Sequence, residues 1–143
     1  MRGTLFAALL AVCPGLAWAG DLTVSDPVVP LAPPGLMAHS AYMTLTNAGD
    51  VPRTLVGVAA DGYAMAHIHR SDDSGGVATM SAVDAIAIAP GQSVTFAPGG
   101  LHVMLMHPAA PQAEGDTVTL TLQFANGEAL PVTATVRRLK HGS

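Results

Sequence analysis

Beyond the first twenty residues, apolar and β-branched side chains alternate with polar ones in short runs, broken roughly every 8 to 12 residues by Gly, Pro, Asn or Asp. A period of two puts successive side chains on opposite faces and marks half-buried strands, and little of the chain carries a helical period. The pattern predicts strands over Leu22–Val29, Ala41–Asn47, Arg53–Ala59, Ala64–His69, Val77–Met80, Ala85–Ile88, Ser93–Phe96, Leu101–Met106, Thr117–Phe124 and Val132–Arg137. Asn126-Gly127 stands between the last two and reads as a tight hairpin, because both residues tolerate positive φ. Pro27, Pro30, Pro33 and Pro34 crowd the first strand, which is expected to be broken or to lie at an edge. This many short strands in one domain fit an all-β, Greek-key β-sandwich.

The opening segment is different. Arg2 precedes an apolar run from Leu5, and Ala17-Trp18-Ala19 forms a small-x-small cleavage site, so residues 1–19 read as a secretory signal peptide and 20–143 as one domain. The apolar run is shorter than the about 20 residues that span a bilayer, and no integral membrane segment is expected after processing. Cleavage also removes Cys13, the chain's single cysteine. An exported domain without cysteine has no disulfide, thiol nucleophile, CxxC pair or thiolate metal site. Leu10-Ala11-Val12-Cys13 has the outline of a lipidation site, but with bulky Val12 where a small residue is wanted.

Charge is sparse, with Asp, Glu, Lys and Arg making up 11% of the chain against about 25% in an ordinary domain. The processed chain is acidic, which argues against nucleic acid and anionic membranes as partners, since both attract basic patches. Against this plain background the chain sets six histidines and seven methionines, and their placement is informative.

On a strand, Leu101-His102-Val103-Met104-Leu105-Met106 turns Leu101, Val103 and Leu105 to one face and His102, Met104 and Met106 to the other. Ala64-Met65-Ala66-His67-Ile68-His69 likewise puts Met65, His67 and His69 on one face. The residues that follow form a plausible loop leading to Met80, which a hairpin would bring near His69. Each cluster alone could be packing, since methionine fills irregular gaps. Together they supply neutral imidazoles and thioethers, a soft donor set that selects Cu(I) over Zn(II), Mg(II) or Ca(II).

The same residues carry a resemblance. Ala41-Tyr42-Met43-Thr44-Leu45-Thr46-Asn47, the stretch Pro98-Gly99-Gly100-Leu101-His102-Val103-Met104-Leu105-Met106, and Glu114-Gly115-Asp116-Thr117-Val118 are similar to the periplasmic copper chaperones of the PCuAC family, over about Pro33 to Val136. The family pattern H-x10-M-x21-H-x-M falls on His69, Met80, His102 and Met104. The resemblance implies a cupredoxin-like or immunoglobulin-like sandwich with a Cu(I) site near its surface. It further implies a periplasmic protein that supplies copper to the CuA centre in cytochrome c oxidase subunit II, together with Sco-type proteins.

Two departures stand out: Arg70 follows His69 where members often carry an acidic residue, and no His- and Met-rich extension follows the domain. Met106 is expected to pack behind Met104, Met43 to be core, and His39, His107 and His141 to be surface or loop residues, while Met65 and His67 stay open. The competing readings are a structural or adhesive exported sandwich that holds no metal, and a copper-dependent enzyme. The enzyme reading lacks support: no G-x-S-x-G marks a hydrolase nucleophile, and the expected N-terminus, Gly20, is not the histidine that a copper monooxygenase of the histidine-brace type needs.

Overall fold

The computed structural model describes residues 21–72, 75–77 and 79–140. The signal-peptide reading, Cys13 and His141 fall outside the described residues. Among the described residues the chain forms ten strands and no helix: β1 (Leu22–Pro30), β2 (Ala38–Asn47), β3 (Arg53–Ala60), β4 (Tyr63–Asp72), β5 (Thr79–Ala82), β6 (Ile86–Ile88), β7 (Ser93–Phe96), β8 (Leu101–Pro108), β9 (Thr117–Phe124) and β10 (Ala129–Arg137).

The strands hydrogen-bond in the order β5-β4-β8-β7-β2-β1-β10-β9-β3-β6, with β8 also pairing directly to β2. One core gathers side chains from both halves of that order: Ile68 of β4 and Leu105 of β8 share it with Leu55 of β3 and Leu120 of β9. Strands β3 and β4, distant in the ladder, are packed together. The sheet therefore folds over on itself as a sandwich, the all-β fold that the alternation predicts. The strands other than β5 contribute their inward sets, as Ala41, Met43 and Leu45 do from β2.

Asn47 closes the end of β2. It is fully buried, and its side-chain amide donates to the carbonyls of Val51 (2.8 Å) and Ile88 (3.1 Å) while its oxygen accepts from the Gly49 N–H (3.1 Å). Replacing it with Ala strands two carbonyls and one N–H at once. We expect Asn47→Ala to lower the unfolding free energy by about 2–3 kcal/mol, read as a lower denaturant midpoint at unchanged slope. A loss under about 0.5 kcal/mol would mean that water replaces all three bonds.

Three local expectations need correction, and the one for β1 holds in the first of its two forms. Strand β1 is broken, by a bulge between Ser25 and Val28 with Asp26 at φ 52°, but it is not at an edge. It pairs antiparallel with β2 and then parallel with β10, and the bulge takes up Pro27, which has no N–H to give to a ladder. The β9–β10 hairpin turns over Ala125-Asn126-Gly127: the Gly127 N–H bonds to Phe124 O at 3.0 Å, Phe124 N–H bonds to Glu128 O, and only Gly127 has positive φ, at 88°. This is a three-residue loop ending in a left-handed glycine rather than a two-residue Asn-Gly turn.

His39 is buried, with Nδ1 2.8 Å from the Tyr63 hydroxyl. Strand β2 starts three residues earlier than expected, which sets His39 in phase with the inward Ala41 and Met43. Finally, β5 lies two residues later than the pattern predicts, at Thr79–Ala82, and all four of its residues are exposed. Without a buried face, alternation has nothing to register.

Candidate metal centre

Strands β4 and β8 are antiparallel neighbours, and their register sets the geometry of the site. His69 is paired with His102, His67 with Met104, and Met65 with Met106. Directly opposed residues on antiparallel strands share a face, with Cβ atoms roughly 4.5–5.5 Å apart. The outward face of this pair is therefore a ladder of three rungs made wholly of imidazoles and thioethers. Ile68, Val103 and Leu105 alternate with them and point into the core. Core formation thus fixes which way the ladder faces.

His69 and His102 sit edge to face, with ring centroids 5.9 Å apart. His102 is buried, and the turn leading into β8 orients it. The Gly100 N–H bonds to Ala97 O at 3.1 Å, Gly99 takes φ 83°, and Gly100 O lies 3.2 Å from His102 Nδ1. A carbonyl only accepts, so Nδ1 carries the proton and Nε2 keeps a free lone pair. This is the arrangement that fixes ligand histidines at metal sites.

His69 Nδ1 is buried and has no hydrogen-bond partner among the described residues. Leaving such an atom unpaired costs about 1–3 kcal/mol, a cost that a bound ion would remove. Burial lowers the His69 pKa below its ordinary 6.5, and Coulombic repulsion from the neighbouring His102 and His67 rings acts in the same direction. The shift favours the neutral ring, the form that binds metal.

Met104 is half-buried on the His67 rung, two residues beyond His102 and so on the same face. Met80 comes from the edge strand. It is paired with Ser71, while His69 faces Ala82. Met80 thus shares the His69 face one diagonal step away, not directly opposite it, and is 52% exposed. The structure brings His69, His102 and Met104 together on one face and sets Met80 at its margin.

Among the described residues, no group of three or more His, Cys, Asp or Glu is arranged to hold a metal. Imidazoles flanked by thioethers suit a soft monocation better than zinc, calcium or magnesium. Of the residues outside the motif, Met43 is core as expected, His107 is exposed at φ 55°, and Met106 is half-buried on the outward face. His67 stacks on His69 with centroids 6.1 Å apart, a contact that the period of two allows but does not require.

The chain is similar to known proteins in family and fold. The chain matches the LpqE-like family over residues 22–136. It is 29% identical over 150 residues to the protein named Putative lipoprotein Lxx21020 of Leifsonia xyli subsp. xyli, covering 96% of this chain and 89% of that protein. Among solved structures it resembles CuI-DR1885 from Deinococcus radiodurans, at 36% identity and TM-score 0.68 over 87% of this chain and 85% of that one. It also resembles the copper-bound PCuAC domain from PmoF2, at 26% identity and TM-score 0.69 over 84% and 95%. With a family match across nearly the whole sandwich and PCuAC domains as structural neighbours, the chain belongs to the LpqE-like family and has the cupredoxin-like β fold of the PCuAC domains.

Proposed function

We propose that this protein is an exported Cu(I) chaperone. It binds one Cu(I) tightly through His69, Met80, His102 and Met104 and passes it to an acceptor. The observation that carries this reading is the buried, unpartnered Nδ1 of His69, on the rung shared with a His102 whose proton is already committed to Gly100 O. Two solved relatives named for bound copper lend it further support.

Four neutral donors leave the site with the single charge of the ion. A dication gains more from anionic ligands, so the set favours Cu(I) over Cu(II). Exposure of Met80 on the edge strand gives an acceptor a ligand to displace first, so the ion can move by stepwise exchange. The acceptor in this reading is the CuA centre of cytochrome c oxidase subunit II, with a Sco-type protein as co-operating partner, and the compartment is the periplasm. Holding and handing over an ion needs no catalytic residue, and no enzyme activity is assigned.

Competition against a Cu(I) chelator, with a parallel Zn(II) titration, tests the site. One tightly held Cu(I) and only weak Zn(II) binding are expected. Zinc held as firmly as copper would mean that the thioethers are not ligands, and a protein that takes up no Cu(I) would end the chaperone reading.

A further inference from the structure

The four residues assigned to copper do not exhaust the ladder. Met65, His67 and Met106 occupy the same outward face, on the two rungs beyond His69 and His102. Met65 is 43% exposed, His67 is exposed and Met106 is half-buried. Among the described residues the core lies on the opposite face of these strands, so core gap-filling does not account for two thioethers there.

The neighbouring strands leave the rungs open. On one flank β2 places Ala38 opposite Met106 and Ser40 opposite Met104, both too small to cover a methionine. On the other flank β5 pairs with β4 from His69 to Asp72, and just beyond it the Val83 N–H bonds to Ile68 O at 2.9 Å, so the pairing on this side stops short of Met65 and His67. Adjacent rungs lie about 7 Å apart along a strand, close enough for flexible thioethers to reach between them.

We propose that Met65, His67 and Met106 form a second, weaker Cu(I) position adjoining the first, a station on the way in or out of the four-ligand site. This rests on the chaperone reading above. Two thioethers and one imidazole are again soft and neutral, and thus again selective for Cu(I). Binding is weaker for two reasons: three donors replace four, and an ion already seated repels a second monocation. His67, stacked on His69, joins the two positions.

Anaerobic Cu(I) titration of the mature protein against graded chelator tests this, with methionine methyl groups followed by NMR. The first equivalent is expected to shift the methyls of Met80 and Met104, and a second, at least about tenfold weaker, those of Met65 and Met106. In the double variant Met65→Leu/Met106→Leu, which keeps side-chain volume, uptake should fall from two ions to one, with the first affinity unchanged within about threefold. His67→Gln should also lose the second ion, and backbone amide spectra check that each variant is folded. Saturation of the wild-type protein at one equivalent overturns the second position and leaves the chaperone reading standing, as does retention of two ions by the folded Leu variant. A protein that binds no Cu(I) overturns both.

Discussion

Cu(I) affinity at the tight site is expected to fall by at least about tenfold in His69→Ala, the low end of what loss of even an outer partner costs at metal sites, and to change little in His67→Ala. The two histidines lie on one face of β4, and spacing alone cannot separate them. Their surroundings differ. His69 is opposite His102 and has a buried, unpartnered Nδ1, whereas His67 is exposed opposite Met104. Because the two rings stack 6.1 Å apart, His67 is placed to substitute in part when His69 is removed, so the double variant should be the weakest of the three. Chelator competition on all three proteins measures the order. Loss of binding in His67→Ala but not in His69→Ala would shift the ligand register by two residues.

Acidification should weaken copper binding steeply, since imidazole binds metal only when neutral. Two independent histidines with ordinary pKa values near 6.5 would together cost roughly 1000-fold between pH 7 and pH 5, about 30-fold each. His69 is held below that value, first by burial and then by Coulombic repulsion from His102 and His67. A proton competes less well for it, and the loss should fall short of that two-histidine figure. The apo protein follows the same sign. Below about pH 6.5 the unfolded chain takes up a proton that folded His69 refuses, so this contribution to stability is whole above that pH and declines as pH falls through the lowered folded value. Cu(I) affinity that stays flat from pH 7 to pH 5 would rule out paired imidazole ligands.

The sandwich was legible because its strands have buried faces. Alternation in β2, β8 and β9 marks their inward residues directly, and the same alternation sets His102, Met104 and Met106 together on the outside of β8. The pairing of His69 with His102 was beyond reach, because register between β4 and β8 comes from tertiary packing across a gap of some thirty residues. Strand β5 was misplaced for the opposite reason: with every residue exposed, its sequence carries no signal for where the ladder starts. His39 shows a third kind of difference, a polar side chain drawn inward by the phase of its strand and satisfied by Tyr63, a partner 24 residues away. The orphaned nitrogen of His69 has no sequence signature, since it is defined by what fails to surround it.

The switch of β1 from β2 to β10 has a consequence for how the chain acquires its structure. Val28, Val29 and Pro30 run parallel to Thr135, Val136 and Arg137, joining segments from opposite ends of the sequence. Pairings of such separation bear a large loop-closure entropy and form late. Until β10 arrives, β1 and β9 each lack a hydrogen-bonded neighbour, and the core lacks Val132, Ala134 and Val136. A chain emerging N-terminus first is thus kept open until nearly its last strand has followed. Any product cut short before Ala129 bares two strand edges at once, which invites pairing with other chains and not with itself.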